Sequence, residues 1–191
     1  MNLLGRGVAL EPLTVARVPE LVLAASESRA SYGFAVVPVD EPSMRAWVET
    51  ALGDPRSVPF VTVADGRVVG STRFAVLERW DTGAVWDGVE IGWTWLAASA
   101  QRTAVNTEAK LLMLTQAFEG WGVRRVTLKT DVRNARSRAA IVRLGAKLDG
   151  ILRAHMPASD GGVRDSAFYS ILSDEWTAVR ANLEERLRIL R

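Results

Sequence analysis

The 191-residue chain has no cysteine and a single histidine, His155. The first absence removes disulfides, thiolate metal sites and cysteine nucleophiles together, and the second removes any metal centre built on clustered imidazoles. No metal is expected. Lysine is scarce too: only Lys110, Lys129 and Lys147 occur, and every other basic residue is arginine. No run of about 18 apolar residues is present, so no segment is expected to span a membrane. The N-terminal stretch MNLLGRGVALEPL lacks the apolar core of a secretory signal, which makes a cytoplasmic location the expectation. Linkers rich in Ser and Gly, low-complexity tracts and internal repeats are missing as well, so residues 1–191 read as one continuous domain. What is there is ordinary globular material, 48% hydrophobic and 24% charged, which excludes disordered and fibrous classes.

An isoelectric point near 9.4 suggests a nucleic-acid partner, yet 24 basic side chains face 22 acidic ones and the net charge is only +2. With one histidine and no cysteine, little titrates between the carboxylates and the lysines, so a small basic excess carries the neutral point far up the pH scale. Neither a nucleic-acid nor a membrane partner is expected.

The hydrophobic periods predict a strand at Val8–Leu10, a helix capped by Thr14, a loop over 31–41, and a helix from Ser43 ended by Gly53-Asp54-Pro55. Two β-rich runs, 59–64 and 67–77, flank the hairpin dipeptide Asp65-Gly66. A third strand, 89–96, alternates Ile91, Trp93 and Trp95 against Glu90, Gly92, Thr94 and Leu96. There follow a helix over 107–118, a strand over 125–130, and a helix from an Asn134 cap to Leu144 with Gly145 as its stop. Two long strands around 148–156 and 165–172 and a last helix from Ser173-Asp174-Glu175 complete the chain. Hairpins, then alternating strands and helices, then another hairpin predict an α/β fold with a mixed sheet covered by helices.

The segment Glu90–Lys110, EIGWTWLAASAQRTAVNTEAK, is a strand, a short polar loop and the start of a helix. The unpaired N–H groups and positive dipole end of that helix suit an anion. No G-x-G-x-x-G follows a strand and no Gly-Lys-Ser/Thr occurs, so dinucleotide and P-loop chemistry lack support.

Here the sequence resembles the GNAT superfamily of N-acetyltransferases, in particular the RimJ/RimL-like branch that acetylates ribosomal-protein N-termini. The family's Q/R-x-x-G-x-G/A motif corresponds to Gln101-Arg102-Thr103-Ala104-Val105-Asn106, with Ala104 and Asn106 at the two small positions. Asp131 to Ser137 resembles the family's D-x-x-N-x-x-S segment, the stretch AAIVRLGA over 139–146 its next helix, and 162–172 the branch's closing hairpin. The matches run in order from Leu10 to Trp176. The resemblance implies a mostly antiparallel GNAT sheet with helices on both faces and acetyl-CoA as co-substrate. Backbone N–H groups from Arg102 to Thr107 would wrap the pyrophosphate, and an N–H near Trp95-Leu96, splayed by a bulge, would face the thioester. Asn134 would meet the pantetheine arm, the Ser137 hydroxyl would lie near sulfur, and Arg138, with Arg136, would reach the phosphates. Ala104 suits a negative φ, and Asn106 is the non-glycine residue most tolerant of a positive one. Asn106 and Asn134 are equally readable as helix caps.

Acyl transfer to an amine needs a neutral nitrogen, donors for the oxyanion and a proton for the departing thiolate. Glu90 is the candidate base, acting through water, with an ion pair to Arg73 as the structural alternative; Asp87 is a second carboxylate nearby. Ser137 and Tyr169 are candidate acids, Tyr169 being equally readable as a core tyrosine. His155 is placed with the acceptor. Trp47 and Trp93 are candidate acceptor contacts, with Trp80 and Trp86 at the rim of the groove. A peptide α-amine costs roughly 3.5 kcal/mol less to deprotonate at neutral pH than a lysine, so a site without a strong base suits a protein N-terminus or a weakly basic small molecule. Succinyl-CoA as donor, and a silent acyl-CoA-binding module, remain open on these residues, as does a homodimer through the closing hairpin and last helix.

Overall fold

The computed structural model describes residues 1–80 and 82–190. Eight strands form one sheet: β1 (Leu3–Leu4), β2 (Val8–Pro12), β3 (Val58–Ala64), β4 (Arg67–Glu78), β5 (Gly88–Leu96), β6 (Arg125–Asp131), β7 (Lys147–Pro157) and β8 (Val163–Leu172). Their order is β1-β2-β3-β4-β5-β6-β8-β7, and every pairing is antiparallel except β5 with β6. The helices are α1 (Val18–Ser26), α2 (Glu41–Gly53), α3 (Val105–Thr115), α4 (Ala135–Leu144) and α5 (Trp176–Ile189).

Helices cover both faces because each carries an apolar stripe that the sheet alone can bury. On one side α1 and α2 close Val18, Leu21, Met44 and Val48 over Val61, Val69 and Trp95. On the other, α3, α4 and α5 bring Met113, Leu114, Ile141, Leu144 and Leu183 onto Phe60, Phe74, Ile91, Val126 and Ile171. The Asp65-Gly66 turn has φ of 49° and 72°, the double left-handed geometry that a two-residue hairpin asks for. Gly145 ends α4 at φ 103°.

Helix starts differ from the sequence expectation: α3 begins at Val105 rather than Thr107 and α5 at Trp176, just after Ser173-Asp174-Glu175. Thr14 caps nothing with its side chain: a 3-10 turn over Val15–Arg17 follows it, and α1 begins only at Val18 with Pro19 in its first turn. α2 starts at Glu41 rather than Ser43, because Asp40 accepts from the Ser43 N–H at 2.9 Å while the Ser43 hydroxyl accepts from the Asp40 N–H.

The alternation expected along β5 fails at Trp93, which has φ 49°. Opposite Thr72 the pairing slips: Arg73 faces Gly92 and Ser71 faces Trp95, so one residue of β5 is extra. The bulge reverses the faces. Ile91 packs under α3, whereas Trp95 packs on the α1–α2 side, edge-on to Tyr32 at 5.9 Å.

Candidate active site

β5 and β6 share only three parallel rungs, Gly88 with Arg125, Val89 with Val126 and Glu90 with Thr127. Beyond Glu90 they part, β5 staying with β4 as far as Leu96 and β6 with β8 as far as Asp131. The inner edges of both strands then face a cavity of about 650 Å³, closed by the starts of α3 and α4 and by the 32–37 loop. Residues from Glu90 to Leu96, from Leu128 to Asp131, and Arg102, Thr103, Asn106, Thr107, Asn134 and Ser137 line it.

At the apex Glu90 is buried, 5% exposed, and its carboxylate lies 2.9 Å from the Lys129 ammonium. The partner expected from sequence, Arg73, does something else. Its guanidinium sits between the Trp47 and Trp93 rings, 4.9 and 4.7 Å from their centroids, and its buried Nε has no hydrogen-bond partner. Burial pushes its pKa down to about 10. Trp47 and Trp93 both line the cavity, and Trp93 remains 44% exposed.

The phosphate-binding candidate is held in shape by Gln101. Its amide donates to the Leu96 carbonyl at 2.9 Å and to the Ser31 hydroxyl at 3.0 Å, and Arg136 donates to the Ser31 carbonyl and the Gln101 amide oxygen. The left-handed residue of the loop is Arg102, φ 61°, and not Asn106, which lies inside α3. Ala104 keeps φ at −66°, so its methyl is accommodated. Thr103 accepts from the Val105 N–H at 3.2 Å. The first helical bond of α3 is Glu108 N–H to Ala104, which leaves the N–H groups of Asn106 and Thr107 without intrahelical acceptors. Ala104 and Val105 do not line the cavity. Trp95 and Leu96 line it and are both buried; the bulge lies at Trp93, two residues earlier than the Trp95-Leu96 position expected for it.

Asn134 accepts from the Ser137 N–H at 3.0 Å and so caps α4, placing both at the cavity wall. Asp131, below them, is clamped by Arg133 at 2.8 Å, whose hydrogen bonds hold the carboxyl below its ordinary range. Arg133 also packs on the Phe34 ring, tying the 32–37 loop to this end of the cleft.

Several candidates lie away from the cavity lining. Tyr169 is a buried core residue whose hydroxyl accepts from Arg138 Nε at 3.0 Å, and Arg138 is spent there and on the Val132 carbonyl. His155 shares a hydrogen bond with Ser166 at 2.9 Å and meets Phe168 edge-on; burial first, then Lys129 and Arg164, lowers its pKa. Its neighbours Met156 and Pro157 reach the lining. Asp87 is fully buried and organises the β4–β5 loop, accepting from the Trp80 N–H and the Thr82 hydroxyl. Trp80 and Trp86 belong to that loop, Trp86 packing on the α3-side core under Arg79, so they form no rim to the cleft.

Lys110 escaped the sequence reading. Its ammonium is buried in the cavity wall and donates to Thr72 Oγ1 at 3.1 Å and Thr94 Oγ1 at 2.7 Å. Burial alone brings its pKa down to about 7. A signal was available: with Met113 and Leu114 it falls on the inward stripe of α3, where a lysine is out of place.

A cleft between two parting strands, with the N-terminal turn of a helix at its mouth and Arg102, Arg136 and Arg143 in its lining, fits an elongated ligand with an anionic end. The family model for the acetyltransferase (GNAT) domain matches residues 8–147, and the chain belongs to that family. It is an acetyltransferase with acetyl-CoA as co-substrate. A presumed acetyltransferase from T. thermophilus superposes with a TM-score of 0.86 at 35% identity over 97% of this chain and 96% of its own. A GCN5-related N-acetyltransferase from Brucella melitensis gives 0.87 at 28% identity over 98% and 85%. RimL, the ribosomal L7/L12 alpha-N-protein acetyltransferase solved with coenzyme A, gives 0.75 at 18% identity over 91% and 99%. No curated protein matches the sequence. Among the described residues no helix is long and apolar enough to cross a membrane, and no cluster of potential metal ligands occurs.

Proposed function

We propose that the chain moves an acetyl group from acetyl-CoA to a weakly basic primary amine, a protein N-terminus or a small-molecule amine, by direct attack of the amine on the thioester. The observation that carries this reading is the state of the cleft's carboxylates. Glu90 is paired with Lys129, Asp131 is clamped by Arg133, and His155 is engaged outside the lining. Among the described residues the lining holds no carboxylate or imidazole without such a partner, and it suits a nitrogen that is already neutral in a useful fraction at pH 7. RimL's action on an α-amine of L7/L12 supports the same choice.

In this reading the N–H groups of Asn106 and Thr107 and the cations Arg102 and Arg136 take the phosphates. Asn134 and the open edge of β5 align the pantetheine arm, and Ser137 stands near the sulfur. Glu90 takes the amine proton through water, and Trp47 and Trp93 border the acceptor.

The test is competition between a peptide with a free N-terminus and no lysine, an N-acetylated peptide with one lysine, and simple primary amines, read by product mass at pH 7.5. The α-amine peptide or a weakly basic small amine should lead the lysine by about 10²-fold, the ratio of their neutral fractions. Preference for the lysine peptide would overturn the reading.

A further inference from the structure

Lys110 reaches from α3 to the strand that carries the bulge. Among the described residues no carboxylate lies within ion-pair distance of it. Nearby acids are committed elsewhere: Glu90 to Lys129, Asp131 to Arg133, and Glu108, two residues before it on α3, to the N–H groups of Arg6 and Gly7. Arg73 lies on the opposite face of β4, between two indoles. Burying an ammonium with no counter-ion is costly, and cavity walls are where such groups accompany function. Its two acceptors also touch each other, Thr72 Oγ1 and Thr94 Oγ1 being 2.8 Å apart, and Thr72 reaches the Met113 sulfur at 3.6 Å. Thr72 has one hydrogen, for which the Met113 sulfur at 3.6 Å is the weaker acceptor and Thr94 Oγ1 at 2.8 Å the stronger; given to Thr94, it leaves Thr94 accepting twice with its own hydrogen turned to the cleft.

We propose that Lys110 is a positioning residue that supplies, through the Thr94 hydroxyl, the proton required by the departing thiolate. The assignment rests on the acyl-transfer reading above. As the amine nitrogen bonds the acyl carbon and the carbon–sulfur bond breaks, Thr94 gives its hydroxyl proton to the sulfur and takes one from the Lys110 ammonium. Glu90 passes the amine's surplus proton to water, and Lys110 recovers a proton from solvent, so one amide and one thiol result. Near neutrality Lys110 is matched to this task, since its lowered affinity for the proton makes transfer towards a thiolate downhill. Of the two acids expected from sequence, Tyr169 is tied to Arg138 away from the cavity lining, and Ser137, which lines it, has among the described residues no ammonium bonded to its hydroxyl.

Three lysines make the test direct. Protein labelled with ¹³C-lysine should give three side-chain resonances, assigned with Lys129→Arg and Lys147→Arg. The remaining one should titrate near pH 7 and move on adding coenzyme A, but stay put with adenosine 3′,5′-bisphosphate, which lacks the thiol arm. A Lys110 signal that titrates above pH 9, or that ignores coenzyme A, overturns the proposal whether or not turnover is seen. For turnover, kcat should fall with rising pH at the same midpoint, a limb lost in Thr94→Val and restored in Thr94→Ser. An alkaline limb unchanged in Thr94→Val also overturns it. Absence of turnover with every amine would instead sink the acetyl-transfer reading, leaving the coenzyme A response of Lys110 to decide this assignment.

Discussion

Glu90 on β5 and Lys129 on β6 form a 2.9 Å ion pair just past the last rung the two strands share. The pair therefore stands at the vertex of the cleft. Replacing Glu90 with Gln removes the proposed proton acceptor and leaves a largely buried ammonium alone. We expect turnover to fall by about 10²-fold or more. Turnover equal to the parent's would take Glu90 out of the mechanism.

Ser137 lines the cavity in the first turn of α4, and its N–H rather than its hydroxyl is the group bound by the Asn134 cap. Ser137→Ala therefore leaves the cap intact. Loss of a hydrogen bond to the sulfur that Thr94 protonates should lower kcat about tenfold while the affinity for acetyl-CoA, measured by calorimetry, stays within twofold. Equal losses in both would assign Ser137 to positioning.

Gln101 ties the end of β5 to the 32–37 side of the cleft through Leu96 and Ser31. Gln101→Ala frees the loop that presents the α3 N-terminus. Acetyl-CoA affinity should drop roughly tenfold, about 1.4 kcal/mol, with kcat at saturation little changed. An unaltered dissociation constant would show that the loop holds its shape unaided.

Lys110 binds its proton more weakly in the fold, at about 7, than its ordinary value of 10.5. Below pH 7 both folded and unfolded chains hold the proton and the burial penalty is fully present. Between 7 and 10.5 only the unfolded chain holds it, so Lys110's penalty shrinks as pH rises. Lys110→Met should accordingly melt higher than the parent at pH 6, by the equivalent of a few kcal/mol, and the gap should close towards pH 10. A pH-independent gap would mean that the amine keeps its proton throughout.

Gly70 on β4 lies so close to the Trp95 carbonyl that any Cβ there would collide with backbone. Gly70→Ala should cost about 2–4 kcal/mol in denaturant unfolding, since neither strand can yield without disturbing its ladder. A loss below about 0.5 kcal/mol would show that the β4–β5 ladder gives way easily at this point.

Where periodicity and punctuation govern, the sequence was a good guide. The Asp65-Gly66 hairpin, the Asn134 cap and the Gly145 stop all follow from local chemistry and stand where they were expected. Trp93 was misplaced because a bulge is a property of two strands together, and nothing in β5 alone marks the extra residue opposite Thr72. Asn106 was offered the left-handed conformation on preference, yet helix α3 begins one residue before it and the strain falls on Arg102. Lys129 and Arg73 lay out of reach for a different reason, since their roles depend on partners from other elements, Glu90 for one and two tryptophans for the other.

The parting of β5 from β6 also bears on how such a protein diverges. In the proposed reading the donor site, lined by two strand edges and the first turn of a helix, is written in peptide groups, which every residue supplies alike. Side chains along it can change, as the Ala104 and Asn106 positions show by forming the turn without glycine. In the proposed reading the acceptor end is written in side chains instead, Trp47, Trp93 and Arg73 stacked in one column. On that assignment drift in sequence would fall unevenly on the two halves of the reaction, rewriting the choice of amine while the means of holding the acyl donor endures.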